Sequence, residues 1–407
     1  MKKLILLLSV LSMLSCTRNV GLERTFQRAG ENRVELEKVL RHYEGDERKH
    51  DAALFLLERM ADCYGYADPL IDSLQELRYL SSLPDREYWT DSVRKVWSHV
   101  SFHDSPKVYD AQVMTADYLI NHIDHAFKVW DSRPWAQHYS FEEFCRYVLP
   151  YRLADEPLTA WRENYHLAFA SRVDSIYEGS DIIRKIQAVQ TIFQEDGSGW
   201  SELFSSLPHP SAAFLLEHPV GVCRELCGYV VFLLRSLGIP AVTDQYVASP
   251  QTSGAHWWNA VRDTTGHMVS FWLRESEVGR GLNDGRPKGK VFRREYGGYV
   301  CDVTSEYFGS NEAAIKISPD CKGKELDLCV FTCGRYVPVD KGEPKGRMAL
   351  FHNLEPGIRF FPMYRNEVGQ QVFAGYPFCI DSLGRTVSYI PDSTSGHRAV
   401  LRRKYAY

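Results

Sequence analysis

Residues 221–241 read GVCRELCGYVVFLLRSLGIPA and place a cysteine at the start of a predicted helix. Apolar side chains recur at helical spacing from Cys223 to Leu237, and this pattern predicts a helix over that range. Gly238 is a typical residue for ending a helix, and Pro240 prevents its continuation. We therefore expect Cys223 on the first turn, where free N–H groups and the helix dipole lower a thiol pKa and can hold an oxyanion.

A histidine follows in the segment GAHWWNAV, residues 254–261. The residues after His256 alternate in polarity as a β-strand does, so Trp257 and Trp258 should face opposite sides of that strand. A histidine on a strand edge can face a thiolate at a helix N-terminus, take the thiol proton and later return it to the leaving group. His256 is therefore the predicted general base.

The two segments resemble the core of the transglutaminase-like superfamily, in which a papain-related fold carries a nucleophilic cysteine at a helix start and a histidine on the following strand. This resemblance implies that Cys223 is the nucleophile and His256 its base. No cofactor is implied, because the chemistry needs only the thiol and the imidazole. The chain as a whole resembles lipoproteins of Bacteroidetes that place such a core between a helical region and a β-sandwich.

The family resemblance also implies an acid about fifteen residues after the histidine, which orients the imidazole. In this chain the position falls near Phe271 or Trp272, and neither side chain can accept that hydrogen bond. Asp263, Glu275 and Glu277 are the nearby alternatives, and Glu275 is the predicted third catalytic residue. Loss of the orienting acid would slow the enzyme or mark a site that has lost its activity.

The composition is that of a folded protein: of 407 residues, 44% are hydrophobic and 25% are charged. A formal net charge of -4 argues against a non-specific nucleic-acid binder, which needs a basic face. Ten cysteines are present without a CxxC pair, so we expect most of them to be buried apolar residues. Metal binding is not expected, because Cys223, Cys227 and His256 lack a fourth ligand at suitable spacing.

The pattern of apolar residues predicts an α+β fold with three regions after the N-terminal segment. Helical spacing and a capping box at Ser140 indicate a helical domain over 16–175. The transglutaminase-like core is expected over 176–290. Alternating runs separated by Gly, Pro and Asp predict an antiparallel β-sandwich-like domain over 291–407.

Residues 1–15 are typical of a bacterial lipoprotein signal peptide. Lys2 and Lys3 precede an apolar run of 11 residues, too short to cross a bilayer, and Cys16 follows it as the predicted lipidation site. An ordinary signal peptide with an incidental cysteine is the alternative. Because Thr17 rather than Asp follows the cysteine, we expect an outer-membrane anchor, on either the periplasmic or the cell-surface face.

Two functions fit this sequence. The first is a cysteine hydrolase, a peptidase or amidase acting through an acyl-enzyme on extracellular protein, peptide or cell-envelope substrates; an amine acceptor would instead make it a crosslinking transferase. The second is a protein- or glycan-binding lipoprotein on an inactive transglutaminase-like fold. An open cleft between Cys223 and His256 would favour the enzyme, and a cleft filled by Trp257 or Trp272 would favour the binding protein.

Overall fold

The computed structural model describes residues 20–83, 91, 93, 95, 105–252, 254–272, 278 and 286–391. Helices make up 42% and strands 22%, and the larger sheet is antiparallel, so the predicted α+β class is confirmed. The signal peptide, Cys16, Glu275 and Glu277 lie outside the described residues, so those predictions stay predictions.

The chain forms two compact units, each with its own apolar core. The first unit comprises the described parts of 1–245, 256–285 and 292–301, and it contains nearly all of the helices. Residues 20–29 are also helical. The other helices of this unit are Arg33–His42 (α1), Glu47–Arg59 (α2), Pro69–Ser82 (α3), Asp110–Val113 (α4), Ala116–Asp131 (α5), Phe141–Tyr147 (α6), Arg162–Ile176 (α7), Ile182–Asp196 (α8), Ala212–Glu217 (α9) and Cys223–Ser236 (α10).

Short strands in the first unit form two pairs and one five-stranded sheet. The paired strands are Tyr64–Tyr66 (β1) with Lys107–Tyr109 (β2), and Gly199–Trp200 (β3) with Val220–Gly221 (β4). The sheet strands are Ala241–Tyr246 (β5), His256–Arg262 (β6), Met268–Phe271 (β7), Phe292–Arg294 (β8) and Val300–Asp302 (β9). Their order in the sheet is β7-β6-β5-β8-β9. Helix α10 packs against β6, and one hydrogen bond joins them: the Asn259 side chain of β6 donates to the Cys227 carbonyl oxygen of α10 at 3.0 Å.

Local sequence signals account for several helix boundaries in this unit. The capping box at α6 is confirmed: the Ser140 hydroxyl accepts from the Glu143 N–H at 3.2 Å, and the Glu143 carboxylate accepts from the Ser140 N–H at 2.7 Å. At the end of α10, Gly238 adopts φ +73°, a left-handed conformation that glycine reaches without strain. The Ile239 N–H donates back to the Leu234 carbonyl at 2.9 Å, so the helix stops where its sequence predicts.

The second unit comprises 246–255, 286–291 and the described part of 302–407. It contains the helix Thr304–Phe308 (α11) and an antiparallel sheet. The strands of this sheet are Ala313–Lys316 (β10), Leu326–Thr332 (β11), Arg335–Lys345 (β12), Met348–Phe351 (β13), Phe360–Arg365 (β14), Gln371–Phe373 (β15), Phe378–Ile380 (β16) and Thr386–Ser388 (β17). Their order is β10-β13-β12-β11-β14-β16-β17, and β15 pairs with β14. The predicted region boundaries at 175/176 and 290/291 stay predictions.

The nine cysteines that the structure describes are all free thiols. Six of them are buried, which confirms the expectation that most are apolar packing residues; these are Cys63, Cys145, Cys223, Cys227, Cys321 and Cys329. Cys333 is exposed and follows β11 in a turn with φ +48°.

Candidate active site

Helix α10 places Cys223 on its first turn, as its sequence predicts. The residue is only 7% exposed and packs in a small apolar cluster with Leu226, Cys227 and Trp272, against which Trp257 also packs. The Cys223 side chain is thus largely covered in this conformation, and Trp272 belongs to the cluster that covers it.

Burial determines the protonation state of the Cys223 thiol. Burial raises the pKa of this thiol, although the backbone N–H groups of Trp257, Arg224 and Cys223 itself act in the opposite direction. The expectation of a lowered pKa at this helix terminus is therefore wrong for this conformation, because loss of solvent outweighs the local N–H groups. At neutral pH the thiol is protonated and needs a base before it can attack.

His256 is the first residue of β6 and is half-buried. It directly precedes Trp257, whose backbone N–H acts to lower the pKa of the Cys223 thiol. The His256 ring lies edge-on to the Trp272 ring, with 5.9 Å between the ring centres and an interplanar angle of 69°. The structure thus brings Cys223 and His256 to the same neighbour, Trp272.

The expected position of the third catalytic residue is occupied by aromatic side chains. Phe271 ends β7 and is fully buried, and Trp272 follows it and is 4% exposed. Asp263 does not substitute for the acid: it lies beyond the far end of β6, about 23 Å along the strand from His256, and accepts hydrogen bonds within its own turn. The candidate Glu275 lies outside the described residues.

A buried ion network fixes the N-terminus of α10, and sequence reasoning missed it. The Glu225 carboxylate accepts from the Val222 N–H at 2.9 Å, pairs with Arg78 of α3 at 3.3 Å, and also pairs with Arg224. The Glu225 and Arg78 side chains are both fully buried, and Arg78 also donates to the Ser201 carbonyl at 3.0 Å. Although burial acts to raise it, the two arginines hold the pKa of Glu225 at about 2. The carboxylate is therefore charged at neutral pH and anchors the turn that carries Cys223.

A cavity of about 220 Å³ within the first unit has Arg224, the residue after Cys223, in its wall. It is lined by Leu153, Ala154, Asp155, His209, Arg224, Gly228, Arg235, Thr243, Gln245, Trp257 and Arg294. Trp257 and Arg224, whose N–H groups face the thiol, contribute to its wall. A second cavity of about 270 Å³ shares four lining residues with the first and therefore lies next to it; these are Leu153, Ala154, Asp155 and Arg294.

One histidine–carboxylate pair lies in the wall of this cavity. His209 Nδ1 is 2.5 Å from the Asp155 carboxylate, and the His209 backbone N–H donates to the same oxygen at 3.0 Å. Burial acts to raise the pKa of Asp155, but the contacts with His209 and the charge of Arg224 hold it well below its usual range. The sequence offered no signal for this pair, because 54 residues separate its members.

Two further classes of site are not found among the described residues. They contain no group of three or more His, Cys, Asp or Glu side chains that is placed to hold a metal ion. None of their helices has both the length and the apolar character needed to cross a bilayer.

Comparison of the chain with models of known protein families found no match. Comparison with curated protein sequences found no match either.

Proposed function

We propose that the protein is a cysteine hydrolase of the transglutaminase-like type, with Cys223 as nucleophile and His256 as general base. The observation that carries this proposal is the position of Cys223 on the first turn of α10, where backbone N–H groups act to lower the pKa of its thiol and the next residue, Arg224, lines a cavity. Nucleophile, oxyanion donors and space for a substrate are the parts that acyl transfer requires.

In the proposed reaction the imidazole of His256 takes the proton of the Cys223 thiol as the sulfur attacks a substrate carbonyl carbon. The negative charge that forms on the carbonyl oxygen is held by the N–H groups at the start of α10. The carbon–nitrogen bond breaks, the departing amine takes the proton from the imidazolium, and a thioester remains on Cys223. Water then attacks the thioester, gives a proton to His256, and releases the acid and the thiol.

This reaction requires Trp272 to move from its present position. The indole belongs to the apolar cluster around Cys223 and lies beside His256, so we expect its displacement to open the sulfur to a substrate carbonyl. Hydrogen bonds of catalytic groups are often incomplete before substrate binds. The closed geometry is therefore compatible with a resting enzyme whose thiol is neutral and covered.

We further propose that the chain is exported and anchored through a lipid on Cys16 in the outer membrane. This proposal rests on the sequence of residues 1–16 alone. In that location the substrates are proteins or peptides outside the cytoplasm or material of the cell envelope.

Acylation by p-nitrophenyl acetate tests the proposed chemistry without knowledge of the natural substrate. We expect a burst of p-nitrophenol and one acetyl group on Cys223, located by mass spectrometry of the digested protein. The Cys223→Ala variant should lose both signals. The His256→Ala variant should acylate about 100-fold more slowly, since a general base contributes at least that factor.

The matched control is Cys227→Ala, which removes a buried thiol one helical turn away and should keep the burst. Acetyl groups found only on the exposed Cys333, with the burst unchanged in Cys223→Ala, would refute the proposal.

A binding protein on an inactive fold is the second candidate function. The packing of Trp272 on Cys223 favours it, since a permanently covered thiol cannot react. Absence of any acylation of Cys223, in the wild type and in a variant that lacks the Trp272 indole, is the result that this candidate predicts.

A further inference from the structure

The cavity lined by Arg224 and Trp257 has more basic than acidic side chains in its wall. Three arginines line it, Arg224, Arg235 and Arg294, whereas Asp155 is its one acidic residue. The Asp155 carboxylate is already paired with His209. Arg224 is paired with Glu225, so an anion that enters the cavity meets Arg235 and Arg294 as the two arginines of the wall that have no ion pair among the described residues.

Arg235 is a buried cation in the wall of this cavity. The residue is 5% exposed; its Nε donates to the Ala241 carbonyl at 3.1 Å and its Nη1 to the Pro150 carbonyl at 3.5 Å. Within the part of the chain that the structure describes, its Nη2 group has no acceptor and no carboxylate pairs with its guanidinium. The carboxylates of Glu156 and Glu295 act on Arg235 without forming an ion pair with it, so its charge is compensated only in part. Burial of an incompletely paired charge is costly, and an anionic ligand that pairs with the free Nη2 group would offset that cost.

Arg294 reaches the cavity from the sheet. Strands β5 and β8 are antiparallel with Asp244 opposite Arg293, which places Arg294 across from Thr243, another residue of the cavity wall. Arg293 is turned to a different partner, since it pairs with Asp244 at 2.8 Å. Arg294 is exposed and makes no ion pair or hydrogen bond within the described ranges, so its donors are available to a ligand.

We infer that this cavity binds a carboxylate group of the substrate through Arg235 and Arg294. Arginine donors match the planar geometry of a carboxylate, and two such side chains in a small cavity select an acidic group over its amide. Arg224 and Arg235 are eleven residues apart on α10, about 16 Å along the helix axis, so the carboxylate is held at some distance from the reacting carbonyl. The role as a substrate subsite rests on the proposed function, but binding itself does not need the thiol.

The test measures binding to the full chain carrying Cys223→Ala, so that no turnover occurs. The probe is the tripeptide Ala-Glu-Ala with both ends blocked, and its partner is Ala-Gln-Ala, which differs by one charge. By titration calorimetry at low salt we expect the glutamate peptide to bind about tenfold more tightly or better, since it gains charge-assisted hydrogen bonds. Inorganic phosphate, tested as a competitor, should displace the peptide only weakly.

Two variants locate the site, and a third is the control. Arg294→Gln, at an exposed position that tolerates change, and Arg235→Lys should each reduce the preference for the glutamate peptide to about twofold or less. Arg41→Gln, on the exposed face of α1, should leave it unchanged.

Equal binding of the two peptides would overturn the inference, and so would a preference that both cavity variants retain. Phosphate that displaces the glutamate peptide with an affinity equal to that of the peptide itself would also overturn the assignment to a carboxylate. Failure of the hydrolase proposal has a different signature, namely intact Cys223 that is never acylated while the glutamate preference persists.

Discussion

Glu225→Gln should lower the free energy of unfolding by about 3–5 kcal/mol at pH 7, because it leaves the fully buried guanidinium of Arg78 without its counter-charge. The substitution keeps the shape of the side chain and removes only its charge. It also weakens the hydrogen bond to the Val222 N–H, which shapes the turn before Cys223. Urea denaturation followed by tryptophan fluorescence measures the change. A loss below about 1 kcal/mol would show that the Glu225 pair contributes little to stability.

The pH dependence of the same variant gives an independent check. The pKa of Glu225 is about 2 in the folded protein and 4.5 for the unperturbed group. A depressed folded-state pKa gives stability that is present above the unfolded pKa and is lost as pH falls through the folded pKa. The difference between wild type and Glu225→Gln should therefore be constant above about pH 5 and shrink as pH falls from about 4.5 towards 2. Glu178→Gln, at an exposed loop position, should differ from wild type by less than about 0.5 kcal/mol.

Trp272→Ala should raise the rate of Cys223 alkylation by iodoacetamide about tenfold or more. The indole is one of the side chains that pack on the thiol, so its removal gives the reagent access and lowers the desolvation that raises the thiol pKa. Mass spectrometry of peptides sampled over time gives the rate for each cysteine separately. Cys227, fully buried on the next turn, should stay slow in the same sample.

The controls separate opening of the site from general loss of stability. Trp272→Phe retains an aromatic ring and should alkylate nearly as slowly as wild type. Trp135→Ala removes an equally buried indole, whose N–H donates to the Gly238 carbonyl at the opposite end of α10. A rate increase of similar size in Trp135→Ala would mean that global destabilisation exposes Cys223, and the specific covering role of Trp272 would be refuted.

The features that were predictable from the sequence depend on residues close together in the chain. Helix α10 could be placed from its own apolar spacing and from Gly238, and the capping box from Ser140 and Glu143, because these signals span a few residues each. The α+β class followed from the change of periodicity along the chain.

The features that escaped sequence reasoning depend on tertiary contacts. The Arg78–Glu225 pair joins residues 147 positions apart, and no local pattern indicates such a partner. The protonation state of Cys223 was mispredicted for the same reason: local sequence reports the helix terminus, but burial by Trp272 depends on how β6 and β7 pair. In that pairing Asn259 lies opposite Phe271, which brings Trp272 alongside Trp258 and close to His256.

The pairing of Cys223 with His256 is tested most directly by alkylation of Cys223 at pH 7 in Trp272→Ala and in the double variant Trp272→Ala, His256→Ala. The exposed Cys333 serves as the internal reference, because its rate should be the same in both proteins. If His256 is the base for this thiol, Cys223 in the double variant should be alkylated at least about tenfold more slowly than in Trp272→Ala, since a neighbouring imidazole raises the thiolate fraction at neutral pH. Equal rates for Cys223 in the two proteins would contradict the proposed catalytic pair.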